Sequence, residues 1–146
     1  MLELLLFSLY VAPVSNIAVA HHVSIHQYAD DIQTYIAIQP QCPDSLSQLV
    51  NCTDDITHWF LENDLLLNPS KVEAVVFGTA SRLRSADTTG GVKVAGTSLQ
   101  FSDTVKLLGV ELDQALSILW TGMYPASSVP ATFISAHCAT SVHVSH

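Results

Sequence analysis

Positive charge is scarce in this sequence. Lys71, Arg82, Arg84, Lys93 and Lys106 are its only five cations, against 13 acids, for a formal charge of -8 at neutral pH. Nonspecific affinity for nucleic acid comes largely from Lys and Arg neutralising phosphates, so this composition argues against independent binding to a template or duplex. Cysteine is scarce too. Cys42, Cys52 and Cys138 make an odd number without C-x-x-C spacing. That excludes a disulfide framework and reads as free thiols of an intracellular protein. No glycine-rich phosphate loop, no Ser-His-Asp or Cys-His pattern and no internal repeat stands out. What is present is apolar: 49% of the 146 residues, enough for the core of one ordinary domain.

The N-terminal stretch allows two readings. Met1 to Ala20 is strongly apolar and ends Ala18-Val19-Ala20, a small-x-small pattern resembling a signal-peptidase site. Glu3 sits where a positive leader region belongs, and Pro13, Ser15 and Asn16 interrupt the run, which makes it a poor membrane span. The first reading is a buried helix. The second is a small secreted or membrane-associated protein without catalysis, in which Asn51-Cys52-Thr53 would be a glycosylation sequon.

Along the chain, Leu2 to Tyr10 suits a helix buried on most sides and ending near Pro13, with a turn or loop around Ser15 to His22. Two β-rich runs follow, Val23 to Ala29 and Ile32 to Ile38, with Asp30 and Asp31 at the position of a hairpin turn. Pro40 and Pro43 then punctuate the chain. Ser45 and Gln48 have capping-box spacing and open a helix to about Asp64. Its stripe is Leu46, Leu49, Val50, Thr53, Ile56 and Phe60, and its polar face is Asn51, Asp54, Asp55 and His58. Lys71 to Gly78 holds a strand core at Ala74 to Phe77, and Thr79 to Gly91 reads as a loop. Val92 to Phe101 resembles a small hairpin turning at Gly96, and Val105 to Leu112 is a strand candidate. After about Gln114 no helical or strand period appears, and that tail is expected to be poorly ordered.

Asp30 and Asp31 carry the chemistry. Magnesium favours carboxylate oxygens, and a tight hairpin projects adjacent carboxylates into one cleft. Two such metals, about 3.5–4 Å apart, catalyse nucleotidyl transfer. The plainer reading is turn chemistry, since Asp is common in tight turns. His21, His22 and His26, and His137, Cys138, His143 and His146, lack recognisable zinc spacing.

Order decides between these readings. Leu5-Leu6-Phe7-Ser8-Leu9-Tyr10-Val11 resembles the end of the reverse transcriptase stretch that precedes the catalytic hairpin. His26-Gln27-Tyr28-Ala29-Asp30-Asp31 resembles that family's Y-x-D-D box, here a YADD motif. Leu66-Leu67-Asn68-Pro69-Ser70-Lys71-Val72-Glu73 is similar to its L-N-x-x-K-T-E segment. Val105-Lys106-Leu107-Leu108-Gly109-Val110-Glu111-Leu112-Asp113 resembles its primer-grip segment, with the L-G-x-x-(L/I)-D ending. Four segments in one order are far more specific than any one. The resemblance spans about Leu4 to Leu116 and is to RNA-directed DNA polymerases of non-LTR, LINE-like retrotransposons.

The resemblance implies an α+β fold, a partial polymerase palm over 4–116, made of a catalytic β-hairpin, a packed helix and further antiparallel strands. Residues 117–146 would be a disordered or non-homologous tail. It makes Asp30 the principal metal ligand and Asp31 its partner, with Mg2+ as the implied cofactor. Tyr28 would lie beside the primer terminus, and Lys71 near the triphosphate, helping the leaving group depart; a solvated Lys opening a strand is the alternative. Leu108 and Gly109 would form the primer-grip turn. RNA template, DNA primer and dNTP are the parent's partners; no membrane is expected, and the location is intracellular. The family's first metal-binding Asp belongs to an earlier strand with no counterpart here. The expectation is therefore a fragment of a nucleotidyltransferase, inactive by itself.

Overall fold

The computed structural model describes residues 2–28, 31–38, 44–85, 91–107, 110–115 and 132–139. Its class is α+β. Helix α1 (Leu2–Val11) is followed by α2 (Val14–Ala20), where the sequence suggested a turn or loop. The break between them is Pro13, which lacks the N–H to continue α1 yet suits the opening of a new helix. Ala12 O accepts from Ser15 N–H at 3.2 Å and from the Ser15 hydroxyl at 2.7 Å, which restarts the winding.

Strands β1 (Ser24–Tyr28) and β2 (Asp31–Ile38) form an antiparallel pair in which Ser24 faces Tyr35 and Tyr28 faces Asp31. Alternation along β2 puts Ile32 and Thr34 in the interior. Helix α3 (Ser45–Glu62) packs on that face through Leu49, Cys52, Thr53, Ile56 and Phe60. Its exposed side carries Asn51, Asp54, Asp55 and His58, as the periodicity predicts. The expected capping box differs: Asp44 is the cap residue and makes no side-chain cap bond, its carbonyl accepting from Gln48 N–H at 2.9 Å.

A 3-10 turn (Pro69–Lys71) leads into β3 (Val72–Phe77). The stretch read as a loop from Thr79 holds a short helix, α4 (Ala80–Ser85), anchored where Leu83 N–H donates to Thr79 O at 2.9 Å. Strands β4 (Val92–Val94) and β5 (Thr97–Leu99) make the expected small hairpin. Ala95 at φ 51° and Gly96 at φ 78° supply the two left-handed residues that a tight hairpin turn requires. Strand β6 (Phe101–Ser102) runs parallel to β3 at the sheet edge. The single strand expected over Val105 to Leu112 is instead a hairpin, β7 (Thr104–Leu107) and β8 (Val110–Asp113), with Leu107 facing Val110. Leu108 and Gly109, between them in sequence, lie outside the described residues. Of the tail 117–146, the structure describes Thr132–Ala139, as strand β9.

The main sheet has the order β1-β2-β9-β3-β6. β9 is antiparallel to both β2 and β3. Therefore β2 and β3 run parallel to each other, joined through α3, with one strand between them: a split βαβ unit. The principal core lies between this sheet and α2–α3, and contains Val11, Val14, Ala18, Ile32, Leu49 and Phe60. A smaller core under β7–β8 joins Val75, Phe77 and Val105.

Candidate functional site

The site begins with the β1–β2 pairing. β1 ends at Tyr28 and β2 begins at Asp31, and these two are register partners. Residues opposite each other on adjacent strands share a face. Tyr28 is 68% exposed and Asp31 half-buried, on the face away from α3. Asp30, the principal ligand that the resemblance implies, lies outside the described residues. Gln27, on the inner face, anchors this end of the hairpin by donating from Nε2 to Val11 O at 3.1 Å.

Lys71 closes the 3-10 turn and is exposed, its N–H donating to Asn68 O at 3.0 Å. Asn68 Oδ1 in turn accepts from Ser70 N–H at 3.1 Å and from the Ser70 hydroxyl at 2.6 Å, which shapes the turn. Register locates Lys71 relative to Asp31. Ile32 faces Cys138, and Cys138 faces Val72. The residues one step earlier, Asp31 and Lys71, therefore stand at the same end of the sheet, two strand spacings or about 10 Å apart in backbone. Two residues implicated by distant motifs thus share one end of the sheet.

The remaining implied residues are not gathered there. Leu108 and Gly109 are outside the described residues, and β7–β8 packs through Val105 and Leu112 against Val75 and Phe77. The open face also holds a pair that sequence reasoning missed. His26 and Tyr35 stack with ring centroids 5.3 Å apart and planes 17° from parallel. His26 Nε2 and Tyr35 Oη are 2.9 Å apart. The signal was available: His26 faces Gln33, so Tyr35 is its diagonal neighbour, within reach of an aromatic side chain.

A two-metal centre needs several converging carboxylates. Asp31 faces Ala139 of β9, and β9 contains neither Asp nor Glu. Among the described residues no group of three His, Cys, Asp or Glu side chains is placed to hold a metal ion. The described residues do not by themselves make a two-magnesium site. No known protein family, curated protein or solved structure matches this chain.

Proposed function

We propose that the chain is a piece of a reverse transcriptase palm of the non-LTR retrotransposon kind, without polymerase activity by itself. The parent reaction is RNA-templated DNA synthesis by two-metal nucleotidyl transfer. The observation that carries this reading is the β1–β2 pair closing at Tyr28 and Asp31 and packed on α3, with Lys71 at the same end of the sheet. Each of the four resembling segments also falls on its own element: α1, the β1–β2 hairpin, the turn into β3, and β7–β8. The competing reading, a leader cleaved after Ala20, has an apolar helical stretch over Leu2–Ala20 in its favour. It would, however, strip Val11, Val14 and Ala18, all fully buried, from the core.

Manganese broadening of backbone amide signals tests the proposal. Dilute Mn2+ should broaden Tyr28 and Asp31 first, and Asp30→Asn with Asp31→Asn should abolish the effect. Broadening centred instead on Asp54 and Asp55 of α3 would remove the basis of the reading. Primer extension by the isolated chain with magnesium should give no product. Synthesis that disappears in Asp31→Ala would disprove the claim of inactivity.

A further inference from the structure

We propose that α1 is a lipid-binding element that lies in the surface of an electrically neutral membrane. The inference is independent of the polymerase reading, and it departs from the expectation that no membrane is involved.

Three observations carry it. First, α1 is held to the core through Phe7 and Val11 and leaves the rest of its apolar surface exposed. Leu2, Leu5, Leu6 and Leu9 stand at three- and four-residue steps, all more than half exposed, and Leu4, three residues before Phe7, is 55% exposed as well. Phe7 and Val11, four apart on the opposite side, pack into the core. Glu3 extends that inner line by one more four-residue step, so the single charge of the helix sits away from the leucine stripe. Second, the hydroxyls of α1 are bonded within the protein. Ser8 Oγ donates to Leu4 O at 2.8 Å, and Tyr10 Oη donates to Asn63 O at 3.2 Å. Neither has to be stripped of water without a replacement partner when the helix enters lipid. Third, Tyr10 packs on Trp59 with centroids 6.2 Å apart. A Tyr–Trp pair at the end of an apolar helix suits the headgroup boundary, where such rings collect.

Size and charge select the occupant. Ten residues make a helix about 15 Å long, roughly half a hydrocarbon core, so α1 enters one leaflet and does not cross. Two such helices side by side would bury well under the about 1,200 Å² of a stable interface, which disfavours a second copy. No Lys or Arg occurs before residue 71 and the chain carries -8, so anionic headgroups repel it.

Flotation of the full chain with phosphatidylcholine vesicles tests the proposal. The chain should float with them, and less so as phosphatidylserine is added. Leu5→Glu with Leu9→Glu, at positions 58% and 64% exposed, should cut the bound fraction at least about ten-fold with unchanged circular dichroism. In a Trp120→Phe chain, Trp59 emission should shift to the blue with lipid. Absence of flotation, equal flotation of the double variant, no shift in Trp59 emission, or a lipid-free dimer that the double variant dissolves would each overturn it.

Discussion

Cys52 is fully buried on the core face of α3, and its thiol is pushed up to about 11, first by burial and then by the Asp55 carboxylate. The sign of the consequence follows from linkage. The unfolded thiol ionises near its ordinary value of 9, while the folded one holds its proton to about 11. The native state therefore binds more protons in that window, and stability falls as pH rises through it, by an amount on the order of 2 kcal/mol. Urea denaturation between pH 8 and 11 should show this slope in the native chain and lose it in Cys52→Ala; parallel slopes would refute it. The same thiol should resist alkylation until the chain unfolds. Phe60, with no exposure, fills the centre of the core, so Phe60→Ala should cost about 3–5 kcal/mol in the same measurement. Its neighbour Leu61 is 54% exposed, and Leu61→Ala should change stability by about 0.5 kcal/mol or less. At this scale the candidate site was readable only where motif and register coincide. Tyr28 and Asp31 could be placed because two β-rich runs flank them. The His26–Tyr35 stack was hidden because neither residue alone distinguishes a functional ring from a surface one.

Two helices end by the same device, and neither uses glycine for it. His22 at φ 56° follows α2, and Val23 N–H reaches back to Ala18 O at 2.9 Å. Asp64 at φ 58° follows α3, and Leu65 N–H reaches back to Phe60 O at 2.8 Å. In each case the residue after the left-handed one is buried, Val23 at 4% and Leu65 at 7% exposure, the apolar contact that accompanies this type of helix end. A left-handed conformation crowds Cβ of any L-residue against the following carbonyl, a cost that a short acid offsets in part by local hydrogen bonding. His22→Gly should therefore raise stability by up to about 1 kcal/mol, and Asp64→Gly by less, read as shifts in denaturation midpoint. A loss in both would mean that these side chains contribute more than their backbone strain costs. Element boundaries were legible in proportion to such local signals. α3 announced itself by a long stripe. α2 did not, because a proline and two polar residues in a short segment look like a loop. β7–β8 read as one strand because no Asn-Gly or Asp-Gly marks the turn.

The molecule as a whole is organised around a gap. A strand, a helix and a parallel strand, β2–α3–β3, leave room for one strand between them, and the chain fills it with β9, paired at eight positions with β2 and six with β3. Nothing local in the sequence reveals this. Polarity alternation along a strand such as β9 reports which of its faces is buried and does not say which strands its edges meet. Its partners also lie far away along the chain, so the pairing is fixed by tertiary contact. Pairing across so long a loop carries a closure entropy that local hairpins and helices do not. The consequence is a test of cooperativity. A chain ending at residue 131 keeps every element that its local signals specify, yet presents the inner edges of β2 and β3 without partners. Open edges of apolar strands invite pairing with other chains. The truncated protein should retain helical circular dichroism, unfold over a broader temperature range and gain light scattering on concentration. Ile134→Pro, which removes one N–H donor from the middle of β9, should move the full-length chain in the same direction. A truncated chain that melts as sharply and at the same temperature as the whole, without scattering, would show that the sheet does not depend on its central strand.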